Sequence, residues 1–245
     1  MTQETRDVVA VRLRPLTPLE FHPGQYFDLS LPGKPARSYS PATTSAQNEQ
    51  TFYIKVLPDG CVSPMIAKGL PAGTRICLDG PFGSSCLSDI PDRPILLLGG
   101  GTGIAPLISM AKHLVEMAPH IPCHMYFGTR TGEDVFANDA LSDLLKAGPN
   151  FRLSVILSEA DETTTYRTGF IGPAVAQDYA SLSQHRIFAA GPPVMVESCQ
   201  RDIIRLGAEP DQISIDSFLP SKPHTAPVRE SGLMRIGRRL FGGAS

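Results

Sequence analysis

The sequence of 245 residues, 42% hydrophobic and 19% charged, is long enough for one or two domains with a sizeable core and is ordinary for a soluble chain. Its 22 glycines and 23 prolines exceed the share usual in globular proteins but stay below that of disordered ones, so many defined turns are expected. The formal net charge of -2 hides an acidic body and a basic end, since residues 221–245 hold five basic side chains and one acidic; no apolar run approaches a membrane span and Met1–Asp7 lacks a signal peptide's apolar stretch, so a cytoplasmic protein is expected.

The first ninety residues read as β. Val8–Leu13, Tyr26–Leu31, Phe52–Leu57 and Thr74–Leu78 are short strand-like runs, punctuated by Pro23-Gly24, Pro32-Gly33, Pro58-Asp59-Gly60 and Gly80-Pro81. Such spacing favours a small antiparallel barrel. One short helix interrupts it, with Ser63 as N-cap, Pro64 in the first turn and Gly69 as the stop. Its exposed amides beside Gly60-Cys61-Val62 would attract an anion.

After Pro91–Pro94 the pattern changes. The buried-type strand Ile95–Leu98 runs into Gly99–Gly103 and then into a helix over Ile104–Met117. Strands over His124–Gly128, Phe151–Leu157, Arg186–Ala190 and Gln212–Phe218 alternate with helices over Asn138–Lys146, Gly172–Tyr179 and Pro193–Leu206. Alternation of this kind predicts a doubly wound parallel sheet, with a domain boundary near residue 92.

Three segments carry chemistry. Gly99–Gly103 joins a buried strand to a helix, where glycines let backbone amides approach a phosphate; the nearest dinucleotide fingerprint, Gly101-x-Gly103-x-x-Pro106, lacks its third glycine, and a ligand-free tight turn remains an alternative. No Gly-Lys-Ser/Thr follows, which excludes a P-loop. In Arg37-Ser38-Tyr39-Ser40-Pro41 the guanidinium suits a phosphate, the phenol ring a flat cofactor, and Ser40 a hydrogen bond; a solvated Arg and a packed Tyr are the alternative. Phe188–Met195 is a second strand-to-helix turn, and both such turns reach one crevice at the carboxyl ends of parallel strands. Phosphate features in the barrel and glycine turns in the sheet together call for two cofactors that meet at the junction.

The five cysteines, Cys61, Cys77, Cys86, Cys123 and Cys199, are spaced for neither a zinc site nor an iron–sulfur cluster, so no metal is expected. Most read as small buried hydrophobes.

In these segments, taken in order with Gly80-Pro81-Phe82-Gly83, the chain resembles the ferredoxin–NADP reductase superfamily and, within it, NAD(P)H-dependent flavin reductase components of bacterial oxygenase systems. The resemblance covers roughly residues 5–220. It implies a six-stranded FAD-binding barrel (1–92) and a NAD(P)-binding α/β domain (93–220), followed by the basic tail (221–245). It further implies that Tyr39 packs on the flavin ring, that Ser40 sits near its reactive nitrogen, and that Phe218 covers it, with core packing of a terminal strand as the alternative for Phe218. Arg37 and Ser63 would hold the FAD pyrophosphate, with Ser38, Ile54, Lys55, Val56, Gly60, Cys61 and Val62 completing the flavin site. Gly101, Thr102 and Gly103 would take the nicotinamide-nucleotide pyrophosphate, and Thr129 and Arg130 lie near its other end. The turn Gly191, Pro192, Pro193 and Met195 would guide the nicotinamide.

Two positions depart from the family: Ala190 stands where many members have Cys, and Asp216, two residues before Phe218, where a Glu is common. The segment Leu157–Asp161 supplies carboxylates where plant-type NADP enzymes have Ser-Arg, which favours NADH. The function implied is an FAD-dependent reductase that takes a hydride from NADH or NADPH and passes electrons singly to a separate iron–sulfur ferredoxin or oxygenase component. Alternatives are a free flavin or ferric reductase, or an electron-transfer subunit inactive alone. No nucleic-acid or membrane partner is expected, although Leu233, Ile236 and Leu240 opposite Arg235, Arg238 and Arg239 in the tail would suit an anionic surface.

Overall fold

A computed structural model describes residues 1–71, 74–159 and 164–218; the basic segment 221–245 and Asp161 lie outside the described residues. The first half contains six strands in two antiparallel sheets of three. One has the order β1 (Thr2–Gln3), β2 (Val8–Leu13), β5 (Gln50–Lys55); the other β4 (Arg37–Tyr39), β3 (Tyr26–Ser30), β6 (Cys77–Phe82). A bridge between Pro41 and Phe52 joins them. Val9, Val11, Leu29, Leu31, Phe52 and Ile54 from both sheets close over one core with Val62 and Ile66 of the intervening helix, which is the packing that the alternating runs anticipate.

Three expectations need correction. The last barrel strand begins at Cys77, not Thr74, and passes through Gly80-Pro81 to Phe82; a register shift between Tyr26 and Asp28 lets the ladder accommodate a proline that has no N–H to donate. Helix α1 (Ser63–Ala67) is capped by Val62 with no side-chain bond. Ser63 is not the cap, because its Oγ turns inward to accept the Leu57 N–H at 3.0 Å. Only Cys123 and Cys199 are buried, whereas Cys61 and Cys77 are exposed and Cys86 is intermediate: Cys61 lies in a turn and Cys77 on the outer side of a strand.

The second half is one six-stranded parallel sheet in the order β10 (Arg167–Thr168), β9 (Phe151–Leu157), β8 (Cys123–Thr129), β7 (Ile95–Gly100), β11 (Arg186–Gly191), β12 (Ile213–Ser217). Along β7 the side chains alternate between two cores: Ile95 and Leu97 face α2 (Ile104–Met117) and α3 (Asn138–Ala147), Leu96 and Leu98 face α4 (Ile171–Asp178) and α5 (Pro193–Arg205). The strand order reverses between β7 and β11. A crevice must open there, at the carboxyl ends of those two strands.

The halves share a packed seam. Val8, Ala10, Ala42, Tyr53 and Leu87 of the first half belong to the same core as Leu97, Leu107, Phe136 and Ala190 of the second. Tyr53 and Phe136 rings lie 5.1 Å apart, and Phe127 meets Phe136 edge-on at 5.3 Å. Next to them Ala137 takes φ +60° while its N–H donates to Glu4 Oε2 at 3.3 Å.

On the far side of the sheet His124 lies between the Tyr179 hydroxyl and Ser154 Oγ, each 2.9 Å from a ring nitrogen. Nearby, Asp178 accepts from both Tyr126 and Arg167 at 2.5 Å. Burial pushes the His124 pKa down to about 4, with Arg152 and Arg167 adding to the effect and Asp178 opposing it. An unfolded His titrates near ~6.5. Below that pH the unfolded chain takes up a proton that the folded imidazole refuses, so stability is full above ~6.5 and falls until about pH 4. Thermal unfolding measured across this window should show a declining midpoint, and His124→Gln should flatten the decline.

Candidate functional site

At the carboxyl ends of β7 and β11 two turns interlock. Gly101–Gly103 forms one tight turn leading straight into α2. A Cβ on Gly103 would lie 2.6 Å from Gly191 Cα and closer still to the Ala190 carbonyl oxygen, while one on Gly191, at φ +141°, would lie 2.8 Å from Gly100 O. Backbone therefore meets backbone, and neither turn has room for a side chain. Met195 seals the contact, its Cε against both Gly100 and Gly191, and its sulfur accepts from Cys199 Sγ at 3.5 Å. Gly101, at φ +52°, faces open space, leaving the start of a 14-residue helix accessible to an anion.

Pro192 is extended and Pro193 opens α5, a place where a missing N–H costs nothing. At the same edge the Phe218 N–H donates to Gly191 O at 2.8 Å, extending the β11–β12 ladder and putting Phe218 beside the turn. Asp216 pairs across the ladder with Ala190, and burial raises its carboxyl above the ordinary range. Ala190, on the core side that the barrel closes, is 2% exposed.

In the barrel, strand alternation separates Arg37-Ser38-Tyr39 into two faces. Arg37 and Tyr39 share one, half-buried, whereas Ser38 points to the other and donates to Asp28 Oδ1 at 2.6 Å. Arg37 donates to Ala36 O at 2.8 Å and reaches Cys61 Sγ at 3.6 Å, which joins the arginine motif to the Gly60–Ser63 turn 24 residues away. Among the described residues no carboxylate pairs with Arg37, so its charge is available. Burial pushes the Tyr39 phenol up to about 12 although Arg37 pulls it down, so the ring stays neutral. Ser40 is buried next to the Pro41–Phe52 bridge.

Other anticipated residues serve differently. Ile54 is wholly buried in the barrel core, Val56 packs against that core, and Lys55 pairs with Asp7 at 3.4 Å, so this stretch offers a ligand its backbone rather than its side chains. Val62 is likewise core, and the Ser63 hydroxyl, though it accepts from Leu57, keeps its proton free to donate. Thr129 Oγ1 donates to Thr131 O at 3.0 Å. Arg130 is held by Asp134 at 3.4 Å and Asp7 at 4.0 Å. Thr102, Gly103, Gly191, Pro192, Pro193 and Met195 come together with Phe218 and Asp216, while Arg37, Tyr39, Ser40 and Cys61–Ser63 gather on the barrel. Sequence reading did not single out Gly100, whose only signal is its place in the glycine run, or Asp7, which has no local signal at all.

Both halves fit dinucleotides. One offers an unpaired guanidinium beside a tight turn with a free hydroxyl, the other a helix start behind a glycine with empty space before it. Among the described residues no group of three or more His, Cys, Asp or Glu could hold a metal ion, and no helix is long and apolar enough to cross a membrane.

Comparison with known proteins agrees. Residues 2–86 match the family described as oxidoreductase FAD-binding domain and residues 97–201 the oxidoreductase NAD-binding domain. The chain is 32% identical over 219 residues to the ferredoxin–NAD(P)(+) reductase component of naphthalene 1,2-dioxygenase/salicylate 5-hydroxylase systems from Ralstonia sp, covering 89% of this chain and 67% of that one. It is 34% identical over 224 residues to the propane 2-monooxygenase reductase component of Mycolicibacterium smegmatis, covering 88% and 64%. An Amycolatopsis cytochrome P450 reductase superposes with TM-score 0.84 at 31% identity, covering 89% and 67%. The chain thus spans about two thirds of the length of these relatives. From the paired glycine turns, the arginine-tyrosine strand and these matches, the chain belongs to the ferredoxin reductase family of FAD- and NAD-binding oxidoreductases.

Proposed function

We propose that this chain oxidises NADH through bound FAD and delivers the electrons to an iron–sulfur ferredoxin or oxygenase component lying outside these 245 residues. One observation carries the reading: α2 starts at the Gly101–Gly103 turn and packs on Ala42 and Thr43, just past Tyr39 and Ser40, so the two cofactor sites share one element. FAD, when bound, accepts a hydride and gives up its two electrons singly. The chain's part is positioning. Tyr39 supplies a neutral ring, Ser40 a hydroxyl, Arg37 and the Gly60–Ser63 turn hold phosphate, and Phe218 borders the nicotinamide turn. The acceptor is inferred from the relatives, which are reductase components of oxygenase systems, and from cysteines too widely spaced for a cluster within this sequence.

Electrostatics supports NADH over NADPH. A 2′-phosphate needs an available cation, but Arg130 is engaged by two carboxylates and Glu159 is exposed after β9. Anaerobic titration of the FAD-loaded protein should therefore bleach the flavin absorbance stoichiometrically with NADH and at least tenfold less efficiently with NADPH. Absence of bleaching by either would overturn the reading.

A further inference from the structure

We propose that Ser109 and Lys112 of α2 are positioning residues that set the spacing between the nicotinamide and flavin sites, by pinning the segment after Ser40 to the helix that grows out of the Gly101–Gly103 turn. The inference rests on the reading of the chain as an FAD-dependent NADH oxidoreductase.

Residues 109 and 112, one turn apart, lie on the same face of α2. Ser109, wholly buried, donates its hydroxyl to Thr43 O at 2.6 Å, and the Lys112 ammonium donates to Ala42 O at 3.0 Å. Neither bond is local, since the partners are 66 and 70 residues apart in sequence. Both carbonyls lie two or three residues past Ser40. Met110, between them, sets its Cε against Gly24, so close that a Cβ there would collide.

The pinned segment has little freedom of its own. The Thr43 hydroxyl donates to Gln50 Oε1 at 2.5 Å, Gln50 Nε2 donates to Gln47 O at 2.8 Å and Thr44 O at 3.2 Å, and Ala42 N donates to Thr51 O at 2.8 Å. Gln50 is 1% exposed. Its position is therefore transmitted to Ser40 and Tyr39 rather than absorbed. At 1.5 Å per residue, Ser109 stands roughly 9 Å along the helix from Gly103. The helix is a strut with one cofactor's phosphate turn at its tip and the other cofactor's ring-binding strand fastened to its side.

Lysine is a costly way to make a structural contact. Burial lowers the pKa of Lys112, which Asp143 only partly offsets, and a half-buried ammonium held by a backbone carbonyl gives no stability that a methionine would not approach by packing. What it supplies is a directional tether.

The test is stopped-flow reduction of the FAD-loaded variants Ser109→Ala, Lys112→Met and the double variant by NADH and by its 4-deuterated form, with flavin affinity measured separately by fluorescence titration of apoprotein. A 1 Å misplacement costs up to about a hundredfold in rate, so hydride transfer should slow about tenfold in each single variant and more in the double. The long-wavelength charge-transfer absorbance of the NADH complex should weaken, FAD affinity should stay within about twofold, and Lys112→Arg should restore the lost rate. Unchanged transfer rates and charge-transfer absorbance overturn the proposal, and so does parallel loss of FAD affinity, which would make the pair merely structural. Failure of NADH to reduce the unsubstituted protein overturns the functional reading instead.

Discussion

Gly103→Ala is expected to lower stability by about 3 kcal/mol and to abolish NADH-driven flavin reduction. The added Cβ would run into the Ala190 carbonyl and lie 2.6 Å from Gly191 Cα. Both are backbone atoms, so no rotamer change relieves the clash, and either the turn or β11 must move. The inner side of the turn is packed: Ile104, Leu98 and Ala189 are each at or below 1% exposure. Unfolding midpoints from calorimetry should drop by about 10 °C, and NADH should no longer bleach the flavin. Gly101→Ala provides the contrast, because nothing lies within 4 Å of its Cβ position. It should fold nearly as well, paying only for the left-handed backbone, while its methyl fills the space where we propose that the nucleotide phosphate binds.

The second large effect is expected at Arg37. Arg37→Ala should weaken FAD binding by on the order of a hundredfold, equivalent to about 3 kcal/mol for a charged hydrogen-bonding group, measured by fluorescence titration of the apoprotein. The fold should be little changed, because the guanidinium hydrogen-bonds only Ala36 O and Cys61 Sγ among the described residues. Arg37→Lys should recover part of the affinity, since an ammonium supplies the charge without the planar fork. Equal FAD affinity in the alanine variant would place the pyrophosphate elsewhere.

Features written in contiguous residues were legible in the sequence. The run Ile95–Leu98, the glycines after it and the helical spacing of Ile104–Met117 define a strand, a turn and a helix that appear as β7, a tight turn and α2. Features decided by distant partners were not. Ser63 followed by Pro64 does open a helix, but the Ser63 hydroxyl serves Leu57 instead of capping it. Arg130 looks available until Asp7 and Asp134 are beside it. Ser38 sits inside a binding motif, but the two-residue period of a strand turns it away to Asp28. The two-residue strands β1 and β10 carry no periodicity to detect. Cys61 and Cys77 follow their position in a turn and on an outer face rather than the burial tendency of cysteine.

Ala137 bears on how the molecule comes apart. A left-handed backbone at a residue with a Cβ carries a conformational penalty that persists only where the surroundings over-determine it. Here part of that surrounding, the Glu4 carboxylate that receives the Ala137 N–H, comes from 133 residues earlier in the chain, and the ring of neighbouring Phe136 is covered by Tyr53. If the segment bearing Glu4, between β1 and β2, frays, the start of α3 loses its acceptor along with part of its apolar cover. The nucleotide half and the barrel should accordingly melt as a single cooperative unit, with hydrogen-exchange protection at Ala137 rising and falling with that of the barrel.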